Sequence, residues 1–205
     1  ALEDIYLPYK KKRKTKAETA RKNGLEPLAK LLMAQGVQNI KNTASRFVKG
    51  EIMTVELALE GARHIMAEWI NERSVIRKIL RTELQATALV KTRIIKGKEQ
   101  EDKGQKYRDY FDWSEPLRKC PSHRLLAILR AENEGYIRVK VEIDQDRVLE
   151  KMNRYLLHSK NEGSQQVVLA IQDAYKRLLF PALSNEALKT AKEKADAGAI
   201  AVFAK

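Results

Sequence analysis

Apolar positions recur at spacings of three and four along most of the chain, the repeat of α-helices that bury one face. Thr15 or Thr19 opens a short helix that stops at Asn23-Gly24. Pro27 lies in the first turn of the next, with Leu28, Leu31, Leu32 and Gln35 at helical spacing and Gly36 as its stop. A third candidate runs from Val37 to Lys49, carrying Ala44, Phe47 and Val48 on one side. Thr54 opens the clearest helix, where Val55, Leu57, Ala58, Ala62, Ile65, Met66, Trp69 and Ile70 form a broad apolar stripe. After Asn71 the pattern resumes with Val75, Ile76, Ile79 and Leu80. Further on, Ser122 caps a helix bearing Leu125, Leu126, Ile128 and Leu129, and Asp144 or Asp146 leads into another over 148–157. Ser164 caps a helix over 167–179 that Pro181 ends, and Ser184 with Glu186 starts the last one.

One stretch alternates instead. Ile137, Val139, Val141 and Ile143 interleave with Arg138, Lys140 and Glu142, the period of two that marks a strand. A strand needs a partner, and residues 89–95 are the candidate. Residues 96–105, with two glycines and dense charge of both signs, read as a loop. Tyr107, Tyr110 and Phe111 follow at i, i+3, i+4, the spacing of a buried stripe. With Trp113, beside Lys106 and Arg108, such rings also suit base stacking. The expected fold class is mainly α: a multi-helical array with a small β element around residues 136–143. Four segments are expected: an apolar anchor plus basic run over 1–16, and an N-terminal helical part over 17–95. A charged loop, aromatic segment, helix and β element follow over 96–150, then C-terminal helices over 151–205.

Charge changes the picture at the N-terminal end. The 205 residues carry a net charge of +13, and residues 1–50 hold twelve Lys/Arg against four Asp/Glu, so +8 of it lies there. Six of the seven residues from 10 to 16 are cationic: Lys10, Lys11, Lys12, Arg13, Lys14 and Lys16. Such a run repels itself and either projects into solvent as a linker or neutralises an acidic partner, of which a nucleic-acid backbone is the foremost. Leu2-Glu-Asp-Ile-Tyr-Leu-Pro-Tyr9 ahead of it is apolar enough to dock on the rest of the protein. Arg73, Arg77, Lys78 and Arg81 make a second basic helix face, which reads better as solvated surface partnered by Glu68, Glu72 and Glu83.

No catalytic constellation emerges. A Gly-rich phosphate loop, a Gly-x-Ser-x-Gly elbow and a Cys-x-x-Cys pair are all missing. His64, His123 and His158 are far apart, and His64 with Glu68, one turn on, is too small a set for a metal. Cys120, the one cysteine, precedes Pro121 with no nearby His, so a catalytic thiol is not expected. The chain is expected to be no enzyme, to need no cofactor or metal, and to bind no membrane. Its single cysteine fits a reducing, cytoplasmic setting.

Several segments together resemble the bacterial Tex family of transcription accessory proteins. They are Leu2-Glu-Asp-Ile-Tyr-Leu-Pro-Tyr9 with the basic run, Gly24-Leu-Glu-Pro-Leu-Ala29, and Ala58-Leu-Glu-Gly-Ala-Arg-His-Ile-Met-Ala-Glu68. Tyr107-Arg-Asp-Tyr-Phe-Asp112, Ser122-His-Arg-Leu-Leu-Ala127, Arg177-Leu-Leu-Phe-Pro-Ala-Leu-Ser184 and Ala199-Ile-Ala-Val-Phe-Ala204 complete the match, which is collinear from end to end. The chain departs from a typical member at Lys10-Lys11-Lys12, where Lys-Pro-Lys is usual, and at Phe180-Pro-Ala-Leu-Ser184, where Leu-x-Pro-Ser is usual. The resemblance implies a fragment: the N-terminal helical region without its first segment, ending before an RNase-H-like domain. Helix-hairpin-helix modules and a C-terminal OB-fold RNA-binding domain would lie beyond it. Taken with the charge concentrated in residues 1–50, the expected function is a helical scaffold that contacts RNA or DNA phosphates non-specifically, and the resemblance implies RNA polymerase or the transcription machinery as partner. The alternative is a protein-interaction platform that docks on RNA polymerase or on other domains of the full-length chain.

Overall fold

The computed structural model describes residues 15–203, and side chains as far as residue 199. Helices dominate, as the periodicities predict, and the described β element is a three-stranded antiparallel sheet, one strand more than expected. The chain divides into two compact units. Within the described residues, one comprises 15–80 and 145–181, the other 81–144 and 182–203.

The first unit is organised around one helix. Helices α1 (Lys16–Lys22), α2 (Glu26–Met33), α3 (Ile40–Ser45) and the 18-residue α4 (Val55–Glu72) succeed each other. The first three, together with α8 (Glu162–Asp173), pack against α4. Thr54 accepts from the Leu57 N–H and caps α4 as expected, and Ala58, Ala62, Ile65, Met66, Ala67 and Ile70 are fully buried. Gly61 is what lets α2 in so close. A Cβ there would lie 2.3 Å from Leu25 Cδ1 and 3.4 Å from the Ala20 Cβ, and Leu25 is itself fully buried.

Several expected termini move. The second helix ends at Met33, and Gln35 rather than Gly36 takes the left-handed conformation, with φ of 55°. Strain at a non-glycine residue needs compensation, and Gln35 has it. Its buried amide donates to Leu156 O at 2.8 Å and accepts from His158 N–H at 3.1 Å, closing the end of α7 (Gln145–Leu156). The third helix is shorter than 37–49 because Asn39 caps it and the chain turns after Ser45. Asn161, not Ser164, caps α8; Ser164 is buried inside the first turn and donates back to Asn161 O.

Pro181 does not end a helix. The π-helical turn Ala174–Leu179 runs directly into α9 (Phe180–Phe203), and the Phe180 N–H donates to Tyr175 O five residues back. The wider turn opens the hydrogen-bond ladder just before the proline, which has no N–H to give. Ser184 is consequently a buried position within α9 rather than a cap.

In the second unit, α5 (Ser74–Thr87), whose latter half lies here, leads into β1 (Leu89–Ile94), the strand expected as a partner. Residues 102–110, partly assigned to a loop by sequence, form a 3₁₀ helix. An unexpected strand, β2 (Asp112–Pro116), follows, then α6 (Ser122–Asn133) and β3 (Ile137–Glu142). Ser122 stands one residue inside α6, whose N-cap is Pro121 with no side-chain hydrogen bond. The sheet order is β2-β1-β3, both pairs antiparallel. Tyr107, Ile128, Ala131, Tyr136 and Ile137 make the core against which Tyr110, Phe111, Trp113 and Val139 pack. Thr92 on the same inner face donates to Tyr110 O at 2.6 Å.

Two stability outcomes follow from this packing. Gly61→Ala, normally a gain of about 1 kcal/mol in a helix interior, loses stability by about 1 kcal/mol net because Leu25 has nowhere to go; urea unfolding reads the sign. Gln35→Ala strands Leu156 O and the His158 N–H, costing about 2–4 kcal/mol by the same measurement.

Candidate nucleic-acid interface

Of the cations assigned to phosphate contact, Lys10, Lys11, Lys12, Arg13 and Lys14 lie outside the described residues. Lys16 is described: it is the exposed first residue of α1. An ammonium there faces the positive end of the helix dipole, so helix stability does not explain it. The residues around it are held firmly. Thr15 Oγ1 accepts from the Glu18 N–H at 3.1 Å and donates to Glu68 Oε2 at 3.4 Å. Arg21 Nη1 meets Glu68 Oε1 at 2.8 Å, so a nearly buried carboxylate on α4 pins the start of α1. Thr15 and Arg21 are therefore both tied to α4 through the one carboxylate.

The second basic helix face is not a uniform solvated surface. Arg77 is only 4% exposed, with Nη1 3.4 Å from Asn71 Oδ1. Arg81 makes a two-pronged contact with Glu186, at 2.7 and 3.0 Å. The helical stripe carries these guanidinium groups inward, where each finds a partner. The aromatic group is likewise committed to packing. Tyr107 and Tyr136 rings lie 5.8 Å apart, and Tyr110 meets Trp113 edge-on at 6.2 Å. Base stacking on Tyr107 is thus ruled out by burial, as the i, i+3, i+4 spacing implied.

His64 Nδ1 is 3.4 Å from Asp173 Oδ2 and its Nε2 3.4 Å from Glu60, while Glu68 is engaged elsewhere. Burial pushes the Asp173 carboxyl up, but hydrogen bonds from Arg177 and His64 prevail and hold it well below the usual range. Among the described residues no group of three His, Cys, Asp or Glu is placed to hold a metal ion. No helix among them is long and apolar enough to cross a membrane. His123 is exposed on α6. The second unit contains a pocket of about 290 Å³ with Leu84, Leu125 and Leu183 in its wall and Arg81, Arg118 and Lys194 among its cations.

Cys120 also borders this pocket. Burial, then the nearby Glu115 carboxylate, pushes its thiol up to about 11 against the lowering effect of Arg124. The nucleophilic thiolate therefore forms only as pH rises toward that value. Alkylation by iodoacetamide at pH 8 is expected to run about a hundredfold slower than for an ordinary thiol, the rate climbing through pH 10; a plateau reached by pH 9 contradicts this.

Sequence reading overlooked one cationic cluster. The alternation in β3 already set Arg138 and Lys140 on one face. That Lys91 and Arg93 stand beside them is a matter of strand register, which period alone does not reveal.

Residues 36–203 match the family model described as Tex central region-like. The chain is 37% identical over 211 residues to the Transcriptional accessory protein Tex of Neisseria gonorrhoeae, covering 100% of this chain and 28% of that protein. It is 33% identical over 218 residues to Protein YhgF of Escherichia coli, again 100% of this chain and 28% of the relative. It is 29% identical over 199 residues to the S1 RNA-binding domain-containing protein 1 of Pongo abelii, covering 90% of this chain and 20% of that protein. The chain thus spans little more than a quarter of its bacterial relatives' length. On the match of its residues 36–203 and on its end-to-end similarity to these bacterial relatives, the chain belongs to the Tex family.

Proposed function

We propose that this chain is the helical, nucleic-acid-facing region of a Tex-type transcription accessory factor. It would contact RNA or DNA phosphates without reading sequence, through Lys10, Lys11, Lys12, Arg13, Lys14 and Lys16. The observation that carries the reading is the concentration of +8 in residues 1–50, most of it in that run, within a chain related to a named transcriptional accessory protein. The name of a further relative includes RNA binding. The anchoring of Thr15 and Arg21 by Glu68 supports it physically, since it fixes the start of α1, where the cation Lys16 stands exposed. The mechanism is release of condensed counterions, and the helices act as the scaffold that positions neighbouring parts of the protein. No catalytic step belongs to this reading.

A second reading is favoured by the apolar surface of the first unit. Leu31, Met53, Leu57, Val75, Tyr155 and Leu169 are all exposed there, Met53 to 77%. They suit a protein-interaction platform that docks on RNA polymerase or on another part of the full-length chain. Under that reading a pull-down survives nuclease treatment.

Fluorescence anisotropy of labelled single-stranded RNA and duplex DNA across a salt series tests the first reading. Six phosphate contacts give a slope of log affinity against log salt of about −4 on a single strand or about −5 on duplex. Replacing all six cations with glutamine should flatten that slope by most of its value. Equal binding by both proteins would sink the phosphate reading for the run.

A further inference from the structure

We infer that the solvent face of the β2-β1-β3 sheet is a second, independent site, a docking surface for the phosphate backbone of duplex nucleic acid. Register defines it. In antiparallel pairing, residues directly opposite one another point to the same side, as do alternate residues along each strand. Lys91 pairs in register with Lys140, and Arg93 with Arg138. These four cations therefore share one face. Neighbouring strands lie about 4.8 Å apart, and alternate residues about 6.8 Å apart, so the four side chains spring from a patch no larger than a few phosphates.

The placement is costly without a ligand. Like charges directly opposite across a sheet destabilise it, and here two such pairs stand side by side. Arg93, Arg138 and Lys140 are exposed, and among the described residues none of them makes an ion pair. Lys91 is held by Glu142 at 2.6 Å. Asp112, in register with Arg93 on β2, is the other acid of this face and makes no ion pair with it. Protection of a sheet edge from aggregation, the usual duty of strand lysines, accounts for cations on the edge strand β3 but not for the other half of the cluster. Lys91 and Arg93 belong to β1, the central strand.

The same register says what kind of ligand fits. The outward strand positions are Leu89, Lys91, Arg93, Arg138, Lys140 and Glu142, with Asp112, Ser114 and Pro116 on β2. None is aromatic, because Trp113 lies on the inner face with Tyr110 packed against it. A sheet that binds single strands takes much of its affinity from bases stacked on exposed rings. This face has none to offer. It can gain only from charge, and duplex, with its denser phosphates and larger counterion release per contact, rewards charge most.

The test uses the whole chain and a labelled mixed-sequence duplex DNA of about 20 base pairs, with a single strand of one of its sequences alongside. Lys91→Gln, Arg93→Gln, Arg138→Gln and Lys140→Gln are combined, in the native chain and in a chain whose residues 10–14 and 16 are already neutralised. In both backgrounds duplex affinity at low salt should fall about tenfold or more, with a salt slope shallower by about three units. Loss of affinity in the second background separates this site from the basic run. Because the substitutions remove like-charge contacts, the thermal midpoint should hold or rise. Ser114→Glu, a single exposed change on the edge strand, should weaken duplex binding without touching any of the four cations, and Arg93→Lys with Arg138→Lys should keep it. Unchanged duplex affinity in the combined variant and in Ser114→Glu overturns the inference, as does a loss confined to the single strand.

Discussion

Close approach to α4 is the constraint on which the first unit depends. A helix can be the shared neighbour of four others only where its surface is nearly bare. Ala58, Gly61, Ala62 and Ala67 supply that bareness, while Ile65, Met66 and Ile70 fill the space between helices. Gly61 is the extreme case, since the fully buried Leu25 side chain occupies the volume a methyl group would need. Once α4 is surrounded, its few polar groups must be satisfied internally. Glu68 takes Thr15 and Arg21, His64 takes Asp173, and Arg63 reaches Gln166 at 2.7 Å. Packing and polar pairing thus solve the same problem at the same residues.

The cations fall into two physical kinds. Arg21, Arg77, Arg81, Arg124 and Arg177 are spent on the fold, each beside a carboxylate or an amide oxygen. Arg124 also lies over the Trp113 ring, at 5.8 Å. Lys16 at the start of α1 and Arg93, Arg138 and Lys140 on the open face of the sheet make no ion pair among the described residues, although Lys91 beside them meets Glu142. Lys16 opposes the dipole of its own helix, and the sheet sets like charges face to face. A net charge of +13 is therefore a poor guide by itself. What matters is which cations the fold has already neutralised.

Helix positions were legible because burial of one face imposes a spacing of three and four on any sequence. Thr54 was legible as a cap, and Thr15 as one of two candidates with Thr19, because a threonine hydroxyl meets the orphan N–H groups there. Elsewhere competition decided. Asn161 displaced Ser164 as a cap, and Pro121 left Ser122 inside its helix. Pro181 lost its usual power to end a helix because a π-turn had already opened the ladder. The edge strand Asp112–Pro116 carries a proline and an uneven pattern, and is a strand only because β1 offers it a hydrogen-bonding edge.

By itself, the order of residues determined the helical class, the alternating strand, the charge gradient and the family resemblance. Each is a local or cumulative property, written in spacing, composition or motif. Only the tertiary structure decided which charges remain available. Arg77 and Arg138 look alike in the chain, yet one is buried beside Asn71 and the other stands in solvent opposite Arg93. The reason is that desolvation and strand register depend on residues distant in sequence, and no local pattern encodes the distance between them.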